Sequence, residues 1–219
     1  MESERSKPVL RTLLSSIGLG FLISGCDSKP DYSSVITDLQ QHGFFAHFTD
    51  SETEACTNIV QERGWDALCD EHPRFYWADA ENLTESGVAD FVTSLNPFLD
   101  RVGVKCTITD NWGDHDYTVT LNGEERLIWS QAEFKVEREG KPGLTWGLST
   151  IRTFALVNEL LEAAETNERL YAINGGNDLA AVFLTPELKD VVCASSGFRQ
   201  VDLPYTPTES DDGWYGQPH

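Results

Sequence analysis

The chain has 219 residues, 36 of them acidic and only 16 basic, so its formal net charge is −20 at pH 7. This charge disfavours nucleic acid as a ligand, because phosphate binding needs clustered Lys and Arg side chains. The length suits a single domain with a substantial core and short extensions.

The first 25 residues have the pattern of an export signal. Arg5, Lys7 and Arg11 precede an uncharged and mostly apolar run over residues 12–25. A membrane-spanning helix needs about 20 apolar residues, whereas this run is shorter and is interrupted by Ser and Gly. We therefore predict a signal peptide over residues 1–25, and a permanent transmembrane anchor is the weaker interpretation.

The end of this run resembles the lipobox of bacterial lipoproteins. An aliphatic residue and two small residues, Ile23, Ser24 and Gly25, stand directly before Cys26. The resemblance covers residues 1–26 alone and extends to no family for the mature domain. It implies cleavage before Cys26, diacylglycerol and further acyl chains on that cysteine, and a lipid anchor that holds the protein at the membrane. The alternative is an ordinary signal peptide with an incidental cysteine.

These features predict a protein of the bacterial cell envelope, anchored on the periplasmic side. The residue after the cysteine, Asp27, resembles the inner-membrane retention signal of some lipoproteins. We expect a short lipidated tether over residues 26–32, one domain over residues 33–203 and an acidic polar tail over residues 204–219. Cleavage would leave 13 basic and 34 acidic residues, a formal charge of −21.

That acidity has two interpretations. A negative surface can attract a basic protein partner and accelerate its association, or it can simply maintain solubility. We expect contact with the membrane through lipid on Cys26, a protein partner that is basic, no nucleic acid and no cofactor.

Four cysteines follow Cys26, and outside the cytoplasm they could form disulfides. These four, Cys56, Cys69, Cys106 and Cys193, allow three pairings, and Cys56 and Cys69, which are close in sequence, are the pair most easily joined. The alternative is that all four are buried thiols that pack as small apolar side chains. The spacing does not fit a zinc site.

Helices and β-hairpins alternate in the predicted elements. Helical spacing or capping signals predict helices over residues 33–41, from a capping box at Ser51 and Glu54, over 84–102 with a break at Pro97, over 149–166, and from Thr185 onward. Branched and apolar runs predict strands over residues 44–48, 74–78, 104–109, 117–121, 127–130, 170–173 and 179–184. Residues 139–143 are expected to form a loop.

The order of these elements lacks a regular βαβ rhythm. We therefore predict an α+β fold in which helices pack on one face of a largely antiparallel sheet built from two hairpin regions. Asn122 and Gly123 are the strongest turn signal, because both tolerate the positive φ of a type I′ hairpin turn.

The segment 110–116 contains the most reactive-looking cluster of side chains. We name Trp112, Asp114, His115 and Asp116 as candidate binding residues, together with Trp146, since exposed Trp is typical of binding hot spots. The spacing departs from an EF-hand loop, and a polar hairpin loop explains Asp, Asn and Gly here equally well. No metal site and no catalytic residue is predicted.

The leading hypothesis is therefore an envelope lipoprotein that binds a partner without catalysis, such as an immunity or inhibitor protein against a toxin acting in the periplasm. One alternative is an envelope hydrolase that uses Asp114, His115 and Asp116. Another is a structural or assembly lipoprotein of an envelope complex.

Overall fold

The computed structural model describes residues 31–69, 72–113, 116–195 and 202–209, which belong to one compact unit. The predicted lipidation site Cys26 and the signal peptide lie outside the described residues, as do Asp114 and His115. The mixture of helices and antiparallel strands confirms the predicted α+β class.

Eight helices and six strands are present in the described residues. The α-helices are α1 (Ser33–Gln41), α2 (Asp50–Arg63), α3 (Ala80–Thr84), α4 (Val88–Ser94), α5 (Asn96–Arg101), α6 (Gln131–Gly140), α7 (Leu144–Ala163) and α8 (Pro186–Ala194). The strands are β1 (Phe75–Trp77), β2 (Ile108–Trp112), β3 (Asp116–Leu121), β4 (Glu124–Ser130), β5 (Arg169–Ile173) and β6 (Ala180–Leu184). Two short 3₁₀-helices lie at Gly64–Cys69 and Gly176–Asp178.

The strands form two three-stranded antiparallel sheets. Sheet A has the order β1-β6-β5, and sheet B is the meander β2-β3-β4. Every residue of the central strand β6 is buried, so helices must cover both faces of sheet A. The expectation of helices on one face is therefore wrong, and the reason is that β6 is apolar at every position rather than at alternate ones.

Sheet A separates two apolar clusters. Alternate side chains of β5 and β6 point to opposite faces. Cluster 1 contains Phe183 and Leu170 from sheet A, with side chains of α4, α5, α7 and sheet B packed on them. Cluster 2 contains Val182 and Tyr171, with side chains of α1, α2, α8 and the 3₁₀-helix Gly64–Cys69.

Several local predictions are confirmed. Asn122 and Gly123 have φ values of 51° and 87° and join β3 to β4, as a type I′ turn requires. Pro97 stands in the first turn of α5 and separates it from α4. Thr185 caps α8 by accepting a hydrogen bond from the Leu188 amide.

Other local predictions are wrong. Residues 42–47 form turns, so the predicted strand at residues 44–48 is wrong. Backbone hydrogen bonds within the segment close these turns, from the Ala46 amide to the Gly43 carbonyl and from the Phe48 amide to the Phe45 carbonyl, both at 3.0 Å. The capping box of α2 consists of Thr49 and Glu52 instead of Ser51 and Glu54. Glu52 also pairs with Arg101, with its Oε1 2.7 Å from an Arg101 nitrogen, and this tertiary contact favours the earlier helix start.

The C-terminal part of the described chain is held more firmly than expected for a loose tail. Tyr205 forms an antiparallel bridge with Ala172 of β5, with two backbone hydrogen bonds of 2.9 Å. Its hydroxyl donates to the Asn174 carbonyl. The chain thus still packs on sheet A beyond the predicted domain end at residue 203.

At its other end the described chain packs on cluster 2. The ring of Tyr32 lies against Gly64, where a Cβ would come within 2.5 Å of a ring carbon. Gly64 has a φ of 63°, so both its backbone conformation and this close approach require glycine. The chain therefore enters the domain on the cluster 2 side of sheet A.

The predicted disulfide between Cys56 and Cys69 is not present in the structure, where Cys56 is a free thiol. Its side chain is packed in cluster 2 from the buried face of α2. Burial raises the pKa of this thiol to about 11, which keeps it protonated and unreactive at neutral pH. This arrangement matches the alternative interpretation of a small apolar side chain in the core.

Candidate functional site

The structure separates the residues predicted for binding. Trp112 ends β2 and is 58% exposed. Asp116 begins β3, and its Oδ1 accepts the Gln131 amide at 2.8 Å, so this carboxylate helps to start α6. Trp146 lies on α7, half-buried against cluster 1. Asp114 and His115 lie outside the described residues.

Trp112 belongs to a row of aromatic rings that reaches the surface. Its ring meets that of Trp129 edge to face at 5.4 Å, and the Trp129 ring stacks on Phe134 at 5.6 Å. Phe134 is 37% exposed, whereas Trp129 is nearly buried and anchors the row in cluster 1. We call Trp112, Trp129 and Phe134 the aromatic patch.

Hydrogen bonds below Trp112 hold the end of β2 in position. The Tyr117 hydroxyl donates to Asp110 and accepts from the Val88 amide at 3.1 Å. The Asp110 carboxylate also accepts from the Ala89 amide. Burial raises the pKa of Asp110 above its ordinary value, although these hydrogen bonds act in the opposite direction. Asp110 therefore joins sheet B to α4 rather than facing a ligand.

The helix that presents Phe134 was not predicted from the sequence. Ser130 and Glu133 form a capping box at the start of α6. The Glu133 carboxylate also accepts hydrogen bonds from two guanidinium nitrogens of Arg152, at 3.1 and 2.7 Å. Further along, Glu137 accepts from the amide and the hydroxyl of Thr145, both at 2.6 Å. These anchors fix α6 to α7 through polar groups.

Although it is fixed in this way, α6 buries none of its ten residues. A surface helix normally covers core with one apolar face. Here the side of α6 that carries Phe134 borders an open cleft of about 520 Å³, also lined by Lys135 and Arg138. The Arg138 guanidinium lies 5.8 Å from the Phe134 ring centre. The aromatic patch thus continues into a cleft on the helix.

The main electrostatic feature of the structure lies elsewhere, around Arg74. This side chain has no exposure to solvent. Its guanidinium donates to the Phe44 carbonyl at 2.7 Å, to Glu168 Oε2 at 2.6 Å and to the Phe183 carbonyl at 3.1 Å. It also lies within 5.3 Å of the ring centres of Phe44 and Phe98. Its Nη2 lies 3.5 Å from the Gly43 carbonyl, so each guanidinium nitrogen has an acceptor.

His47 borders the same network at a surface cleft of about 460 Å³. Its Nε2 lies 3.5 Å from Glu168 Oε1. Burial lowers the pKa of His47, and so does the nearby positive charge of Arg74. A neutral histidine beside a carboxylate resembles a general base, but Arg74 already neutralises Glu168. The network is accounted for by packing, because it joins the turn at residues 43–47 to β5 and β6.

Sequence reasoning missed this network, since Arg74 and Glu168 are 94 positions apart. An arginine next to a buried strand was the only local signal. Among the residues that the structure describes, no group of three or more His, Cys, Asp or Glu side chains could hold a metal ion. Within the same residues, no helix is long and apolar enough to cross a membrane.

Comparison of the chain with protein-family models, with curated proteins and with solved structures gives no match.

The buried pair predicts a large effect of one substitution. Glu168→Gln should lower the free energy of unfolding by about 3–5 kcal/mol, because it leaves the Arg74 charge buried without its counter-ion. The measurement is denaturant-induced unfolding followed by circular dichroism.

Glu52→Gln is the matched control. It removes the charge of a partly exposed pair with Arg101 while it keeps a side chain able to complete the capping box. Its expected cost is below about 1 kcal/mol. Equal losses in the two variants would contradict the assigned role of Arg74 and Glu168.

Proposed function

We propose that this chain is a lipid-anchored envelope protein that binds another protein through the aromatic patch. The specific form that we favour is an immunity or inhibitor protein against a basic toxin that acts in the periplasm. The observation that supports it is the exposure of Trp112 within an ordered row of rings, next to a helix that buries no residue.

The patch has the properties of a protein-binding hot spot. Trp combines a large apolar surface with few rotatable bonds, so it contributes affinity at low entropic cost. The three rings pack on one another, and Trp129 Nε1 donates to the Thr84 carbonyl at 3.2 Å. A partner would therefore meet a surface that is already ordered.

The position of the patch suits a domain that is tethered at its N-terminal end. Close to the start of the described chain, Tyr32 packs on cluster 2, on one side of sheet A. The aromatic patch is anchored in cluster 1, on the other side of that sheet. A domain tethered through its N-terminal end would therefore keep the patch away from its point of attachment, available to a partner in the periplasm.

The net negative charge of the chain predicts that its partner is a basic protein. A mature chain with a formal charge of −21 would attract a basic protein over long range, and added salt would weaken this attraction. Affinity would come from the rings, and the rate of association from the charge.

The proposed location is tested at Cys26. In cells supplied with labelled palmitate, the full-length chain should take up label and fractionate with membranes. Cys26→Ser should abolish both the label and the membrane association, because the thiol is the expected attachment point. Cys193→Ser is the control and should behave like the parent. Membrane association of an unlabelled Cys26→Ser chain would contradict the lipid anchor.

The proposed contact is tested by substitution in the aromatic patch. Trp112→Ala and Phe134→Ala should each weaken binding of the captured partner, with Trp112→Ala costing about 2 kcal/mol, or about 30-fold in affinity. The measurement is capture from envelope extracts at low and high salt, followed by titration of the purified partner.

Leu127→Ala is the control, since Leu127 is an exposed apolar side chain outside the patch. Binding that is unaffected by both patch substitutions would contradict the proposal. Recovery of several co-purifying proteins, independent of the patch, would instead favour an assembly lipoprotein.

A further inference from the structure

A second exposed tryptophan stands apart from the aromatic patch. Trp77 ends the edge strand β1 and is 64% exposed, the largest exposure among the large apolar side chains of the described residues. Its ring meets Phe75 edge to face at 5.1 Å. Trp77 forms one wall of a cleft of about 420 Å³.

The cleft has an apolar floor and a polar rim. Ala78, Leu83 and Phe91 form the floor and are buried. The rim residues other than Trp77 are Asp79, Asn82, Asp90, Ser94 and Asn177. We call this site the Trp77 cleft. A ligand would thus find one aromatic face, an apolar base and several hydrogen-bonding groups within a small space.

The charged side chains that line the Trp77 cleft are all acidic. Asp79 and Asp90 line the Trp77 cleft, and among the described lining residues none is Lys or Arg. Asn177 Nδ2 lies 3.4 Å from Glu81 Oε2, which brings a third carboxylate near the rim. The described residues contain no ion pair between a basic side chain and Asp79 or Asp90.

The position of one carboxylate is fixed by the backbone. Asp79 is the N-cap of α3, and its Oδ1 accepts the amides of Glu81 and Asn82 at 2.8 and 3.3 Å. A carboxylate offers about four acceptor sites, so these two bonds leave capacity for a ligand. Asp79 and the indole ring of Trp77 line the same cleft, so a ligand there meets both.

An indole face together with carboxylates is the chemistry that recognises an organic cation. The ring attracts the cation through its quadrupole, and the carboxylates supply charge-assisted hydrogen bonds. We propose that the Trp77 cleft binds the ammonium or guanidinium group of a Lys or Arg side chain presented by a partner polypeptide.

A polypeptide fits this site better than a free amine does. The cleft adjoins β1, whose outer side has no neighbouring strand in the described part of the chain. The backbone of a partner could therefore lie along this edge while one basic side chain enters the cleft. This inference goes beyond the aromatic patch, since it concerns different residues and can fail while the patch proposal holds.

The test is a titration of the full-length chain, followed by the NMR signals of the Trp77 indole N–H and the Asn177 side-chain amide. The probes are acetyl-Gly-Arg-Gly-amide and the same peptide with citrulline, which keeps the shape of arginine without its charge. The arginine peptide should shift both signals, and the citrulline peptide should bind at least about threefold more weakly.

Substitutions test which side chains of the Trp77 cleft bind the peptide. Trp77→Ala should remove the shift of the Asn177 amide, and Asp90→Asn should weaken binding about threefold. Glu62→Gln, which removes an exposed charge on α2, should bind like the parent. The circular dichroism of each variant checks that it is folded.

Three outcomes would overturn the inference. Equal binding of the two peptides would show that charge is not recognised. Binding of N-acetylglucosamine in preference to the arginine peptide would indicate a sugar site. Free arginine amide that binds as tightly as the peptide would indicate a small-molecule ligand rather than a polypeptide.

Discussion

Arg74 places a guanidinium group in a position with no contact with solvent. Its donors must therefore be satisfied by the fold itself, and they bind the carbonyls of Phe44 and Phe183 and the carboxylate of Glu168. These partners come from the turn before α2, the central strand of sheet A and the residue before β5. One side chain thus fixes three distant segments of the chain in a single arrangement.

The same guanidinium contacts both apolar clusters, since it lies within 5.3 Å of the ring centres of Phe98 in cluster 1 and Phe44 in cluster 2. Sheet A is buried on both faces and separates cluster 1 from cluster 2. The N-terminal entry of the chain belongs to cluster 2, and the aromatic patch is rooted in cluster 1. In our proposal the tether therefore lies on one face of sheet A and the partner binds on the opposite face.

Local chemistry explains what could be predicted from the sequence. The Asn122 and Gly123 turn, the break at Pro97 and the long helix α7 each follow from backbone preferences of neighbouring residues. Both Trp112 and Trp146 were expected to be exposed, and Trp112 is exposed whereas Trp146 is half-buried. This difference in exposure depends on how sheet B and α7 pack, which cannot be predicted from neighbouring residues in the sequence.

The remaining features depend on contacts between distant residues. The Arg74 and Glu168 pair, the Trp77 cleft and the two-sided burial of sheet A all join segments that are far apart in sequence. Helix α6 was missed although Ser130 and Glu133 are a capping signal, because its lack of buried residues makes its apolar pattern weak. The predicted strand at residues 44–48 is wrong for a related reason, since the Phe44 carbonyl accepts from Arg74, 30 positions further along the chain.

Hydrogen exchange in Arg74→Met tests the central role of this arginine most directly. The account predicts that amides of α2, in cluster 2, and of α7, in cluster 1, lose protection together, by the same change in opening free energy. Loss of protection confined to the turn at residues 43–47, with both clusters as protected as in the parent, would contradict it.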